Sequence, residues 1–207
     1  FQLEERRALG VNFGQTQALV ASSSWLRNAV DSRLNPTEGY IVFSQLAVAS
    51  EQFASDQDFI RLYSRAQKFW SPSRENLFSA RFEAGTVVAS ARRDIPQDYL
   101  FRAGGTNSLR GFDFLDLGVI DQGILVGGRR LMIGSLEYTR WFDGGPLGAA
   151  VFTDVGDVSD NWSDFDPKPA IGVGVRYKTP AGPIAFDVAK AADQDNLRIH
   201  FALGVAF

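Results

Sequence analysis

The end of the chain alternates apolar residues with polar or small ones, and this alternation limits the possible folds more than any other feature. The apolar positions of segment 197–207 are Leu197, Ile199, Phe201, Leu203, Val205 and Phe207. A β-strand places alternate side chains on opposite faces, so the segment predicts a strand with one wholly apolar face. Eleven residues is long for a strand in a soluble sheet and suits a tilted strand that crosses a bilayer.

The same alternation recurs along the chain and predicts further strands. It is clear at 151–156, 171–178 and 184–189, and weaker in four or five earlier segments. Turn residues separate these segments at 35–39, 71–73, 143–146 and 180–183. Short connections alternate with long ones, as in outer-membrane barrels with short periplasmic turns and long outer loops. We therefore predict an all-β, antiparallel transmembrane β-barrel fold with about ten strands, no helix, and one domain over residues 1–207.

Composition excludes several other classes of protein. Hydrophobic residues make up 45% of the chain, yet no run approaches the roughly 18 apolar residues of a membrane helix. The net charge of −3 gives no basic surface for nucleic acid. The absence of cysteine excludes disulfides and thiolate metal sites. The first residues lack a signal peptide, and we expect the chain to be the C-terminal part of a longer protein.

Charged residues in the middle of predicted strands favour a polar barrel interior. The positions concerned are Arg61, Arg65, Arg81, Glu83, Glu137, Arg140, Asp154, Arg176 and Asp187. On a lipid-facing surface each charge would cost about 2–4 kcal/mol, so we expect them to face inwards. A soluble barrel would have the apolar face inside instead. Aromatic residues fall near strand ends, where an interfacial belt would lie. They are Tyr40, Phe69, Trp70, Tyr138, Trp141, Phe142 and Tyr177.

The long connection around residues 95–115 is unusually apolar for a barrel loop. Its apolar residues are Tyr99, Leu100, Phe101, Leu109, Phe112, Phe114 and Leu115. Loops of this length are normally polar and exposed, so this one is predicted to fold back and pack. Arg110 follows a Gly-Gly turn and precedes Gly111, which allows a tight bend, and Phe112, which could wedge against the inner wall.

Two acidic residues on the following strands are candidate partners for Arg110. Strand parity directs Glu137 and Asp154 into the interior, and a guanidinium can bind a carboxylate through two hydrogen bonds. Alternatively, Arg110 is a solvated loop residue and the acids pair with Arg140 or Arg176. If Arg110 pairs with Asp154, exchanging the two charges should partly restore the interaction.

Other polar residues give weaker signals. His200 is the only histidine, and its strand position predicts a polar residue of the interior, not a catalytic group. The aspartates between residues 154 and 166 lack the ligand spacing of a calcium loop. The sequence therefore predicts no enzymatic activity, no metal site and no cofactor.

Four motifs resemble the Omp85 superfamily. The segment FRAGGTNSLRGF, ending in Leu109, Arg110, Gly111 and Phe112, is similar to the sixth-loop signature, and its lead-in resembles the TamA branch most. The segment from Phe152 to Gly156 resembles the Phe-x-Asp-x-Gly strand motif. The segment 31–39 resembles the Asp-x-Arg-x-x-Pro-x-x-Gly hairpin, and the terminal strand resembles the outer-membrane sorting signal.

This resemblance implies a fold and a site. It implies the C-terminal ten or so strands of a sixteen-stranded barrel, with POTRA domains and first strands absent and the sixth loop inside the lumen. It further implies that Arg110 pairs with Asp154, with Glu137 as a second acid. The residues of the sorting signal and of the seam with the first strand would be Phe201, Leu203, Gly204, Val205 and Phe207.

The resemblance also implies a function. Such a protein would insert or translocate outer-membrane proteins or autotransporters, in the outer membrane of a Gram-negative bacterium or an organelle of that origin. Its partners would be the bilayer, unfolded client proteins and a TamB-like protein that spans the periplasm. The alternatives are a two-partner secretion transporter and a barrel attached to a patatin-like lipase.

Overall fold

The computed structural model describes residues 2–8 and 11–203, with side chains from residue 16 onwards. Regular structure in these residues is almost entirely β. The strands are β1 (Gln2–Ala8), β2 (Val11–Ala18), β3 (Val20–Val30), β4 (Gly39–Ala49), β5 (Phe59–Ser73), β6 (Asn76–Ala89), β7 (Val119–Asp121), β8 (Ile124–Val126), β9 (Arg130–Trp141), β10 (Leu147–Ser159), β11 (Lys168–Thr179), β12 (Gly182–Ala191) and β13 (Arg198–Leu203). Four single-turn 3-10 helices lie at Glu51–Phe53, Gln97–Tyr99, Phe142–Gly144 and Trp162–Asp164.

Nine strands form one antiparallel sheet in the order β13-β12-β11-β10-β9-β6-β5-β4-β3. Each strand pairs with its neighbour along the chain, except that the long loop 90–129 separates β6 from β9. The hairpin β1–β2 extends from one end of β3, and β7 and β8 form a small hairpin inside the long loop. The antiparallel all-β prediction is confirmed. The loop hairpin β7–β8 was not predicted, because its strands have only three residues each.

The sheet has an apolar exposed face and a polar buried one, as strand parity predicts. We call these the outer and inner faces. On β11 the outer face carries Ile171, Val173 and Val175, which are 68%, 57% and 49% exposed. Arg176 of the same strand is buried on the inner face, as are Asp154 of β10 and Asp187 of β12.

Three sequence predictions about side-chain direction are wrong. Arg140 lies on the outer face at the end of β9, where it forms a 2.6 Å ion pair with Glu75. Phe69 and Trp141 are buried, at 5% and 4% exposure, whereas Trp70 and Phe142 are exposed. Adjacent residues of a strand point to opposite faces, so Phe69 and Trp70 could not both belong to an interfacial belt. Trp141 ends β9 on the inner face, and Phe142 begins the 3-10 helix that follows.

The long loop packs its apolar residues against the inner face. Leu100, Phe101, Leu109 and Phe112 belong to one buried cluster that also includes residues of the sheet. Backbone bridges Phe101–Gly128 and Ala103–Leu117 tie the two arms of the loop together. The prediction of a packed loop holds for these residues. It fails for Phe114, which is 80% exposed because the chain has already turned away from the sheet after Phe112.

The turn between β3 and β4 shows why its motif needs aspartate and glycine. Asp31 accepts hydrogen bonds from the Thr37 and Glu38 amides at 2.9 and 3.0 Å, and from the Thr37 hydroxyl at 2.6 Å. Gly39 has φ +105°, which a residue with a side chain rarely adopts.

The same turn contacts a distant part of the sheet. Asn35 Nδ2 donates a 3.1 Å hydrogen bond to the carbonyl of Thr179, the last residue of β11 before the turn to β12. Six strand-to-strand steps separate β3 from β11 in the sheet, which at about 4.8 Å each corresponds to an arc of roughly 29 Å. The two turns can meet only because the sheet is strongly curved.

In the part of the chain that the structure describes, no helix has the length and apolarity needed to cross a membrane.

The outer face gives a first prediction. Val173→Arg places a charge at the middle of β11 on the outer face, which the sequence predicts to contact lipid, and we expect it to destabilise the protein in vesicles by about 2–4 kcal/mol. Leu147→Arg, on the same face but at the start of β10, is the matched control and should cost about 0–1 kcal/mol. Urea unfolding in lipid vesicles measures both values. Equal costs at the two positions would contradict the assignment of this face to the bilayer.

The β3–β4 turn gives a pH-dependent prediction. Burial alone would raise the pKa of Asp31, but its hydrogen bonds from Thr37 and Glu38 outweigh this and lower the pKa to about 2. The stabilisation by ionised Asp31 is therefore complete above its ordinary value near 3.8 and is lost as the pH falls towards 2. Thermal unfolding should show a stability gap between wild type and Asp31→Asn that narrows between pH 4 and pH 2. A gap that does not depend on pH would contradict this.

Candidate functional site

The tip of the long loop, residues 104–113, lies on the inner face of the sheet. Arg81 of β6 holds it from one side, because its guanidinium donates hydrogen bonds to the carbonyls of Asn107, at 2.9 Å, and Ser108. Gly111 has φ +96°, and a Cβ there would lie 2.9 Å from the Ala191 nitrogen and 3.0 Å from the Ala170 Cβ. Glycine is therefore required at this position by both backbone conformation and space.

Arg110 forms a two-pronged ion pair with Asp154. Its Nε donates to Oδ2 at 2.8 Å, and its second terminal nitrogen donates to Oδ1 at 2.9 Å. The backbone amide of Arg110 donates to Oδ2 as well, at 3.0 Å. Ser135 of β9 donates a 2.6 Å hydrogen bond to Oδ1. Asp154 is 0% exposed, so four donors replace the water that its carboxylate has lost.

A second arginine and two further acids complete a charge network. Arg110 donates to Glu137 at 2.6 Å and to Asp187 at 3.3 Å. Arg176 of β11 binds both oxygens of Glu137, at 2.9 and 2.8 Å, and also pairs with Asp187. Glu137 and Asp187 thus each bridge the two guanidinium groups. We use the term charge network for Arg110, Arg176, Glu137, Asp154, Asp187 and Ser135.

Small and flat side chains on the inner face make room for the charge network. The guanidinium of Arg110 lies 3.4 Å above the centre of the Phe152 ring, a cation–π contact. The ring in turn lies against Gly172, where any Cβ would collide with it. A Cβ at Gly174 would collide with the Asp187 carboxylate, and one at Gly156 would lie 2.6 Å from the Met132 carbonyl.

The buried charges are close to balanced, and each depends on the others. Two guanidinium groups face three carboxylates. Transfer of a charged group from water into protein costs several kcal/mol, which is recovered only when its hydrogen bonds are satisfied. The network therefore favours one position of the loop tip, since any displacement leaves buried charges without partners.

The structure places most of the predicted site residues together. Arg110 meets both Asp154 and Glu137, while Leu109 and Phe112 anchor the tip in the apolar cluster. Arg110 is buried, so the alternative of a solvated loop residue is wrong. Arg176 does pair with Glu137, as that alternative expected, whereas Arg140 takes no part. Phe201 and Leu203 lie exposed on the outer face of β13. Gly204, Val205 and Phe207 lie outside the described residues.

Sequence reasoning missed several partners. Asp187 and Ser135 contact Arg110 directly, and His200 of β13 accepts a 3.0 Å hydrogen bond from the Gly111 amide through Nε2. Strand parity does place all three on the inner face. Parity does not show which residues of neighbouring strands lie opposite each other. That Asp187 lies opposite His200 depends on the register of β12 and β13.

The network corrects the expected result of exchanging the charges of Arg110 and Asp154. A carboxylate at position 110 would lie beside Glu137 and Asp187, whose oxygens are now 2.6 and 3.3 Å from the guanidinium. Like charges at this distance in a buried site repel strongly. The double exchange should therefore not restore stability, although Arg110 and Asp154 are directly paired.

Among the described residues, no cluster of three or more histidine, aspartate or glutamate side chains could hold a metal ion.

Removal of the central guanidinium gives the third prediction. Arg110→Ala leaves the Asp154 carboxylate buried without its main partner, and we expect a loss of about 3–5 kcal/mol in unfolding free energy. Urea unfolding monitored by heat-modifiable gel mobility measures this. Arg140→Ala, which breaks an exposed ion pair, is the control and should cost about 0–1 kcal/mol. A cost for Arg110→Ala as small as that of the control would refute the structural role of the network.

Comparisons with known proteins agree with this fold. The structure of BamA from Haemophilus ducreyi lacking POTRA domains 1–3 matches all of the chain and 46% of its own length, with a TM-score of 0.77 and 18% identity. The outer membrane protein assembly factor BamA of Nitratidesulfovibrio vulgaris is 28% identical over 94% of the chain, which spans 26% of that protein. The Omp85 superfamily domain matches residues 9–207, and the chain therefore belongs to the Omp85 superfamily.

Proposed function

We propose that this protein assembles other proteins into the outer membrane, with the described sheet as part of a barrel wall in the bilayer. The observation that carries the proposal is the charge network, which fixes the loop tip on the inner face of an Omp85 domain. The relationship to a protein named as an outer membrane protein assembly factor supports it.

The two faces of the sheet have different roles in this proposal. The outer face, with Ile171, Val173 and Leu136 exposed, suits contact with lipid chains. The inner face holds charges that bind the loop tip and position strands β9 to β13 relative to one another. No covalent step is required, because strand pairing and burial of client surface supply the free energy of assembly.

The terminal strand offers a place where a client could pair. Among the described strands β13 pairs only with β12, so its other edge presents backbone donors and acceptors. Such an edge can accept an additional strand by β-augmentation. We place the seam at this edge, with Phe201 and Leu203 on the lipid side, and assign Gly204, Val205 and Phe207 to the sorting signal.

The proposal includes a location and partners. The protein would lie in the outer membrane of a Gram-negative bacterium or an organelle of such origin, and its partners would be the bilayer and unfolded client proteins. Membership of the TamA branch and a TamB-like partner stay predictions from the loop lead-in. That the chain is the C-terminal part of a larger barrel protein with POTRA domains is likewise a proposal.

Reconstitution tests the proposed function. The client is an outer-membrane barrel protein unfolded in urea. It should fold faster into phosphatidylethanolamine vesicles that contain the full-length protein than into empty vesicles. Arg110→Ala should slow this reaction, because the loop tip and the strands it contacts lose their fixed arrangement. Arg140→Ala should match wild type. The heat-modifiable mobility of the client, followed over time, measures the rate.

Other outcomes would favour the alternative functions. A client that becomes protected inside the vesicles without folding into the bilayer would indicate secretion through the lumen. Release of fatty acids from the vesicle lipid would indicate a lipase. No acceleration of client folding by the wild-type protein would refute the proposal.

A further inference from the structure

His200 is a buried titratable residue that the charge network does not use. It lies on the inner face of β13 with 7% exposure, directly opposite Asp187 in the strand pairing. Its Nε2 accepts the hydrogen bond from the Gly111 amide at 3.0 Å. Its Nδ1 lies 3.5 Å from the Thr106 hydroxyl. The histidine ring therefore contacts both sides of the loop tip.

These contacts define the form of the ring. Because the Gly111 amide donates to Nε2, that nitrogen carries no proton, and the proton of the neutral ring lies on Nδ1 facing Thr106. Space between Gly111 and the sheet is limited, since a Cβ there would lie 2.9 Å from the Ala191 nitrogen and 3.0 Å from the Ala170 Cβ. The hydrogen bond from Gly111 to His200 therefore persists only while β13 and the loop tip keep their present separation.

A second contact links the same strand and loop. Arg198 of β13 forms a 3.0 Å ion pair with Asp113, at the other end of the loop tip. Its side chain is 30% exposed and that of Asp113 is 57% exposed, so this pair adds little stability by itself. Arg198 and His200 are consecutive inner-face residues of β13, so the contacts lie side by side along the strand.

We propose that His200, supported by Arg198, is a positioning residue that couples the edge strand β13 to the loop tip. A shift of β13 by two residues along β12 would move the imidazole about 7 Å, which breaks the hydrogen bond to Gly111. Displacement of the loop tip would break the same hydrogen bond, and β13 would then lose its contact with Gly111. Release of the loop and loosening of the edge strand are therefore linked, and each promotes the other.

The link follows from how the network is distributed. Arg110 binds side chains of β9, β10 and β12, but among the described residues its own side chain makes no hydrogen bond to β13. The loop tip contacts the last strand through Thr106, Gly111 and Asp113. His200 extends the fixed region of the inner face to the edge of the sheet.

Hydrogen exchange tests the coupling. In the full-length protein in lipid nanodiscs, His200→Leu should accelerate amide exchange about 2- to 10-fold both in β13 and in residues 104–113, as expected for loss of one buried hydrogen bond. His200→Gln keeps an acceptor at the position of Nε2 and should stay closer to wild type in both segments. Arg110→Ala should accelerate exchange in β13 as well, although it lies on the loop.

The matched control is Ile199→Ala, on the outer face of the same strand. Whatever its effect on exchange in β13, it should leave residues 104–113 at wild-type rates. Faster exchange in β13 alone for His200→Leu, or in the loop alone for Arg110→Ala, would overturn the coupling. So would His200→Gln variants that behave like His200→Leu.

An effect of the coupling on client folding rests on the proposed function. The hydrogen-exchange measurement tests the coupling independently of that function. If His200→Leu shows the coupled exchange and also changes the client-folding rate in vesicles, both proposals are supported. If it shows the coupled exchange while wild-type protein fails to fold clients, only the proposed function is refuted.

Discussion

The structure depends on a guanidinium that has been removed from water. Arg110 is 6% exposed and Asp154 is 0% exposed, so neither can be solvated if the other moves away. Loop conformation, strand arrangement and the positions of Glu137 and Asp187 are therefore fixed together. A buried ion pair of this kind contributes little net stability compared with an apolar contact, but it strongly penalises other arrangements. Conformational specificity is what such a network supplies.

The sheet accommodates this network by placing its smallest side chains where the charges are densest. Gly172 and Gly174 alternate with exposed valines on β11, so the strand is apolar towards lipid and nearly bare towards the loop. This composition would weaken a strand that had to fill its own core. Here the neighbouring strands supply the filling, with the Phe152 ring of β10 against Gly172 and the Asp187 carboxylate of β12 against Gly174.

Much of this arrangement could be predicted from period-two alternation, which separated the two faces and sent Asp154, Glu137 and Arg176 inwards. The pairing of Arg110 with Asp154 came from motif resemblance. The features that could not be predicted depend on the register between strands and on the path of the loop in space. Alternation does not align His200 with Asp187, and it cannot show that Phe114 leaves the packed part of the loop. Phe69 and Trp141 were misassigned because proximity to a strand end was given more weight than parity.

The hydrogen bond from Asn35 to Thr179 has a consequence for the order of folding. It joins residues 144 positions apart, and closing a flexible loop of that length costs about 4 kcal/mol plus a constant. One hydrogen bond contributes about 1 kcal/mol, so this contact cannot form in an otherwise open chain. It forms only after successive hairpins have brought the two turns together. The contact is therefore a late event, and its presence marks a sheet that has completed its curvature.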